Sequence, residues 1–285
     1  MSLQSGKARP ILETRAARPT LEGAGVKLHR AFGFQDPSEL DPFLLFDDFR
    51  NEDPVDYMQG FPWHPHRGIE TITYVLSGEV EHSDSLGNTG SLGAGDVQWM
   101  TAGSGILHQE MPRGNAQGQM HGFQLWTNLP ASYKMMRPRY QGFTAPRIPE
   151  IATPEGCLIK VIAGTVAGTT GPVTDIVTSP VYIDCKVPQG ALFRHTSPAD
   201  HTALVYGIEG RGRIGETDIE NRQLAHLSEG TDIVVEASET LFRFLLVTGK
   251  PIGEPVAWRG PIVMNTREEL DRAFTEYQSG TFVKV

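Results

Sequence analysis

Short apolar runs alternate along this chain with clusters of glycine, proline, aspartate, asparagine and serine, and only near the C-terminus does the apolar spacing turn helical. Such runs between turn clusters read as β-strands. The pattern predicts strands over Gly68 to Leu76, Val80 to Ser83, Gly90 to Leu92, Val97 to Thr101, Gly105 to Glu110 and Met120 to Asn128. Upstream, Pro42 to Phe49 (PFLLFDDF) reads as a buried strand after turn signals at Asp36-Pro37 and Asp41-Pro42. Residues 1 to 20 read as a flexible arm with one strand, Ile11 to Arg15.

From Phe143 to Gly156 the composition shifts to proline, glycine and polar residues, which marks a boundary. A second strand series follows: Cys157 to Gly164, Val181 to Val187, Ala203 to Ile208, Gly212 to Ile214, Arg222 to Leu227, Asp232 to Glu236 and Leu241 to Val247. The repetition predicts an all-β chain of two tandem jelly-roll barrels of the cupin type, over residues 1–145 and 146–285. A capping box, Thr266 to Glu269, then opens a short C-terminal helix at about 266–278, with Leu270, Phe274 and Tyr277 at helical spacing up to Ser279-Gly280. That helix is assigned to the second half and should pack across a barrel face.

Composition narrows the partners. A net charge of -9 with scattered Lys and Arg excludes a nucleic-acid surface. The first residues lack the apolar core of a signal peptide, and no apolar run is long enough to span a membrane. Cys157 and Cys185, the two cysteines, form no C-x-x-C pair and read as buried apolar residues of a reduced, cytoplasmic protein. A monomer is expected.

The chemistry concentrates between Phe61 and Met111. Residues two apart share one face of a strand, so His64 with His66, and His108 with Glu110, can each aim two donors at one point. Four such donors suit a first-row divalent metal with open positions. No thiolate is present, which weakens structural zinc; Fe(II) is the first choice, with Cu, Mn, Ni, Co and Zn left open. Glu70 is a rival carboxylate on the same parity as His66. Four residues of straight strand rise about 13 Å, so Glu70 joins only if the chain bends, for instance at Gly68. It is expected instead to pair locally with a basic neighbour such as Arg67. Phe61, Trp63 and Met100 are candidates for pocket lining, and Gln124 and Trp126 for hydrogen bonds around the ligands, though core packing explains each about as well.

Aligning Gly210 with Gly78 sets Thr196 at the place of His64 and Pro198 at that of His66, so the second barrel is expected to be a metal-free support. His195 and His201 read as loop residues there.

HPHRGIETITYVLSG, GDVQWMTAGSGILHQEMP, HGFQLWTNLP and GPIVMNTREEL together resemble the pirin family of bicupins, over nearly the whole chain. The resemblance implies that His64, His66, His108 and Glu110 bind iron. It further implies a quercetin 2,3-dioxygenase, which opens a flavonol with O2 and releases carbon monoxide, with Glu110 also serving as the base for the 3-hydroxyl. The alternative it carries is a metal-dependent regulator that binds a protein partner without turnover. A third reading is a metabolite site without catalysis.

Overall fold

A computed structural model describes residues 6–34 and 37–284. Asp36, half of one expected turn, lies outside the described residues. The second turn forms at Asp41-Pro42, where the Asp41 carboxylate accepts from the backbone N–H groups of Ile252 and Gly253.

The chain forms two compact units with the same construction. One comprises Arg18–Ala145 and Ile252–Val285, the other Met1–Ala17 and Pro146–Pro251. In the first, a seven-stranded sheet has Ile69–Ser77 near its middle, between Val97–Thr101 and His121–Asn128, and a four-stranded sheet runs from Phe61–His66 through Ile106–Arg113 and Glu79–Asp84 to Thr89–Leu92. In the second, Thr202–Glu209 takes the place of Ile69–Ser77 in another seven-stranded sheet, and Leu192–Thr196, Asp232–Glu236, Arg211–Ile214 and Thr217–Glu220 make another four-stranded one. Side chains from both sheets of this unit, such as Phe193 and Ile233 with Val161 and Phe244, share one core. The fold is therefore all-β with an internal repeat. Cys157 and Cys185 are free and buried. No helix among the described residues is long and apolar enough to cross a membrane.

The units divide between Ala145 and Pro146, yet the chain ends are exchanged relative to the expected halves 1–145 and 146–285. The arm expected to be flexible carries two strands, Ile11–Ala16 and Arg18–Glu22. The first pairs antiparallel with Gln223–Leu227 in the second unit. Arg9 secures it: its buried guanidinium donates to the carbonyls of Ser228 and His201 and to the Ser197 hydroxyl. An edge strand satisfies its backbone on any open sheet edge, so its alternation identified a strand without naming the sheet.

The C-terminal segment likewise belongs with the first unit. A hairpin of Ala257–Arg259 and Ile262–Met264 leads into a helix over Arg267–Gln278. Leu270 and Ala273 of this helix pack with Ile262, Met264 and Phe282, and against Leu107. Of the expected apolar face, Leu270 is buried and Phe274 packs half-buried beside it; Ala273 joins them inside, whereas Tyr277 is 38% exposed. Both arms of the capping box form, with Thr266 Oγ1 accepting from the Glu269 N–H at 3.2 Å and Glu269 Oε2 accepting from the Thr266 N–H at 3.1 Å. The linker read between the barrels is partly ordered as the strand Glu150–Ala152. His195 also departs from its expected loop and lies in the strand Leu192–Thr196.

Thr266→Ala removes an acceptor that no neighbour replaces, and should cost about 1 kcal/mol in equilibrium denaturation.

Candidate metal centre

Strand register brings the donors together. Phe61–His66 is the edge strand of its sheet and pairs antiparallel with Ile106–Arg113, setting His64 opposite His108 and His66 opposite Ile106. The register then shifts, so that Glu110 stands opposite Phe61. The extra residue lies at Pro62-Trp63, and an edge bulge is a place where proline's missing N–H does no harm. Along Ile106–Arg113 burial alternates strictly, and His108, Glu110 and Pro112 share the buried face.

The three imidazoles converge. Donor nitrogens of His64, His66 and His108 lie within 4.8 Å of one another and could hold a metal ion. Ring centroids are 4.4 Å apart for His64 and His108, and 4.9 Å for His66 and His108. His64 Nδ1 is 2.8 Å from the Pro62 carbonyl and His66 Nδ1 is 3.1 Å from the Pro261 carbonyl. A carbonyl only accepts, so both Nδ1 atoms carry the hydrogen and both Nε2 atoms of the neutral rings carry lone pairs. Those two Nε2 atoms face each other at 3.1 Å. His108 Nε2 is buried with no hydrogen-bond partner. Burial pulls the pKa values of His66 and His108 well below the usual range and lowers that of His64, which keeps all three in the neutral, ligating form. Lone pairs that cannot bond one another are satisfied together by a cation, so the residues fit a metal. The missing thiolate and the all-imidazole set favour a first-row transition metal.

Glu110 borders the same cavity without belonging to that cluster. Its Oε1 accepts from Thr73 Oγ1 at 3.0 Å, and Thr73 Oγ1 is 2.8 Å from Gln124 Oε1. Burial raises the Glu110 carboxyl to about 7, partly opposed by the Thr73 hydrogen bond.

Glu70 is occupied elsewhere. The strand carrying His66 ends there, and the chain turns at Gly68, whose φ is +76° and whose added Cβ would lie 1.9 Å from the Val263 carbonyl oxygen. The parity of His66 therefore does not continue into Ile69–Ser77, where Thr73 reaches the cavity. Glu70 Oε1 accepts from Thr101 Oγ1 at 2.6 Å and Oε2 from Thr127 Oγ1 at 3.4 Å. Arg67, the example expected, binds Glu276 Oε2 at 2.8 Å instead, and the basic neighbour that acts on Glu70 is Arg139.

The cavity beside the histidines has a volume of about 460 Å³. Phe61, Gln124 and Trp126 line it; of the two residues expected to supply hydrogen bonds, Gln124 bonds Thr73, whereas Trp126 Nε1 has no hydrogen-bond partner. Trp126 also packs edge-on to His66 at 5.0 Å. Two expectations are corrected. Trp63 is 50% exposed on the bulged edge, and Met100 is buried in a core cluster with Ile69 and Ile106. Neither is among the lining residues.

Several lining residues escaped the sequence reading. Arg30 makes a two-pronged pair with Asp47, at 2.8 and 2.7 Å, and reaches Glu22 at 2.7 Å. Burial raises Asp47 to about 6 against the pull of that guanidinium. Val26, Leu28 and Arg30 alternate along one strand and all line the cavity. That alternation was the available signal, as was the parity of Thr73. His82, set aside as structural, lies opposite Glu110, with Nε2 at 3.0 Å from Gln98 Nε2.

Comparison with known proteins agrees with this architecture. The family "Pirin" matches residues 25–127, and "Pirin C-terminal cupin domain" matches residues 182–283. A pirin-like protein of Caulobacter vibrioides is 45% identical, over 96% of this chain and 99% of its own length. Pirin of Homo sapiens is 39% identical, over 96% of this chain and 94% of its own. A crystal structure of quercetin 2,3-dioxygenase from Acinetobacter baumannii superposes with a TM-score of 0.88 at 35% identity, covering 96% of this chain and 98% of that one. With two matching domains, near-complete coverage by relatives and the same fold, this chain belongs to the pirin family of bicupins.

Proposed function

We propose that this chain is an iron-dependent dioxygenase of flavonols such as quercetin, in which His64, His66 and His108 hold Fe(II) and Glu110 serves as fourth ligand and base. The observation that carries the reading is the convergence of three neutral imidazoles, two buried and one half-buried, at the wall of a cavity that also exposes a carboxyl group. The relative of known structure called quercetin 2,3-dioxygenase supports the choice of substrate class.

The metal, when bound, supplies Lewis acidity and redox chemistry toward O2. The remaining work falls to the chain. A flavonol presents a planar, largely apolar body with a hydroxyl beside a carbonyl. Phe61, Trp126, Leu28 and Phe49 provide apolar walls that keep water from the reacting end. Glu110 faces the same space, with one oxygen fixed by Thr73, and takes the proton of the 3-hydroxyl. Three histidines suffice to hold the ion, which leaves the carboxylate able to shift between ligand and base. Both atoms of O2 enter the product as one ring carbon leaves as carbon monoxide.

Purified protein loaded with Fe(II) should consume O2 when quercetin is added, in an oxygen-electrode assay. Glu110→Gln should abolish turnover, by about 10²-fold or more, while metal analysis still finds bound iron. Full activity in that variant would remove the base role. Iron binding without O2 uptake on any flavonol would shift the reading to a metal-dependent protein that binds a partner.

His66→Ala should lose most bound metal, whereas Glu70→Gln should retain it. Loss of metal in Glu70→Gln but not in Glu110→Ala would move the carboxylate assignment to Glu70.

A further inference from the structure

The carbonyl that orients His66 belongs to Pro261, 195 residues further along the chain. Its position depends on how residues 261–282 are held against the turn that follows His66. Several interactions do this, and all lie in the unit that carries the histidines. The Val263 N–H donates to the Arg67 carbonyl at 3.1 Å. Lys134 Nζ, in a side chain only 1% exposed, donates to the carbonyls of Gly68 at 2.9 Å and Val263 at 3.1 Å, and to Asn128 Oδ1 at 2.7 Å. The Arg67 guanidinium, 2% exposed, donates to the Ser104 and Phe282 carbonyls, each at 2.7 Å, and pairs with Glu276 at 2.8 Å. It also lies 4.2 Å from the centre of the Phe282 ring. Gly68 permits the approach, because any side chain there would strike the Val263 carbonyl.

Lys134 and Arg67 are both almost fully buried, and burial pulls the Lys134 ammonium down to about 7, so holding them at one turn is costly unless their donors find partners. Here each joins the segment just after His66 to the C-terminal segment, Lys134 through Gly68 and Val263 and Arg67 through Phe282 and Glu276, with further bonds to Asn128 and Ser104.

We propose that Lys134 and Arg67 are positioning residues of the metal centre: they clamp the C-terminal segment against the turn so that the Pro261 carbonyl fixes the ring of His66. The inference rests on His66 being a metal ligand. It adds that the centre is incomplete without the C-terminal segment, although the ligands themselves lie between residues 64 and 110. Groups that orient a ligating histidine typically change metal affinity about 10- to 100-fold when removed.

The test uses Co(II), with the metal-free full-length chain titrated against a chromophoric chelator and the visible spectrum of the bound ion recorded. Lys134→Met keeps the length of the side chain and removes its donors. It should weaken Co(II) binding about tenfold or more and change the visible bands, because the tilt of one imidazole is freed. Phe282→Ala removes the ring beside Arg67 and leaves the backbone carbonyl in place; it should act in the same direction with a smaller effect. Ile183→Val, in the core of the other unit, controls for stability: it should lower the melting temperature without altering the Co(II) spectrum.

Unchanged affinity and spectrum in folded Lys134→Met and Phe282→Ala would overturn the clamp, as would an equal loss of affinity in Ile183→Val. If Lys134→Met does not fold, the result for Phe282→Ala decides. Failure of the unsubstituted chain to bind Co(II) would instead overturn the metal-centre reading on which the clamp rests.

Discussion

Two imidazoles are held with their Nε2 lone pairs 3.1 Å apart, each fixed through Nδ1 to a carbonyl. Free side chains would rotate out of that arrangement, so the surrounding structure must impose it. Both carbonyls belong to prolines, Pro62 and Pro261, whose ring locks φ and removes one way for the oxygen to wander. The Pro62 oxygen is fixed locally, by the bulge in the edge strand. The Pro261 oxygen is fixed from the far end of the chain. Burial then keeps the rings neutral, because a charged imidazolium in a dry wall would cost far more than a neutral one.

Much of this arrangement is legible in the sequence because strand geometry has a period of two. His64 with His66, and His108 with Glu110, read as same-face pairs, and three of the four converge. The capping box at Thr266 is equally local and forms as written. What the sequence conceals is non-local. Alternation marks Ile11–Ala16 as a strand but carries no address, and the edge that accepts it lies more than 200 residues away, at Gln223–Leu227. Glu70 shows a subtler failure. Counting parity from His66 assumes one continuous strand, whereas the left-handed turn at Gly68 resets the count, so Thr73 rather than Glu70 reaches the carboxylate of Glu110.

The two units show how little of the chemistry belongs to the scaffold. Leu192–Thr196 and Asp232–Glu236 pair as Phe61–His66 and Ile106–Arg113 do, and Thr196 stands opposite Asp232 where His64 stands opposite His108. The interiors differ in the same systematic way. Thr73 has Gln98 and Gln124 as its cross-strand neighbours, while Val205, at the corresponding place in the second unit, has Ala225 and Leu246. A polar row in one barrel is thus an apolar row in the other, on the same topology.

That substitution has a mechanical consequence. Val205, Ala225 and Leu246 belong to one continuous core that joins both sheets of the second unit. In the first unit apolar residues form separate clusters, among them one around Val75 and Phe49 and another around Ile69 and Met100. Stability comes largely from apolar burial, so a barrel that contains a cavity gains from apolar contact supplied elsewhere. The C-terminal segment provides it: Val263 joins the Ile69 cluster, and Ile262, Leu270 and Phe282 build a further one against Leu107, the neighbour of His108. The chain's end therefore joins the unit that carries the histidines and the cavity, and adds apolar contact to it.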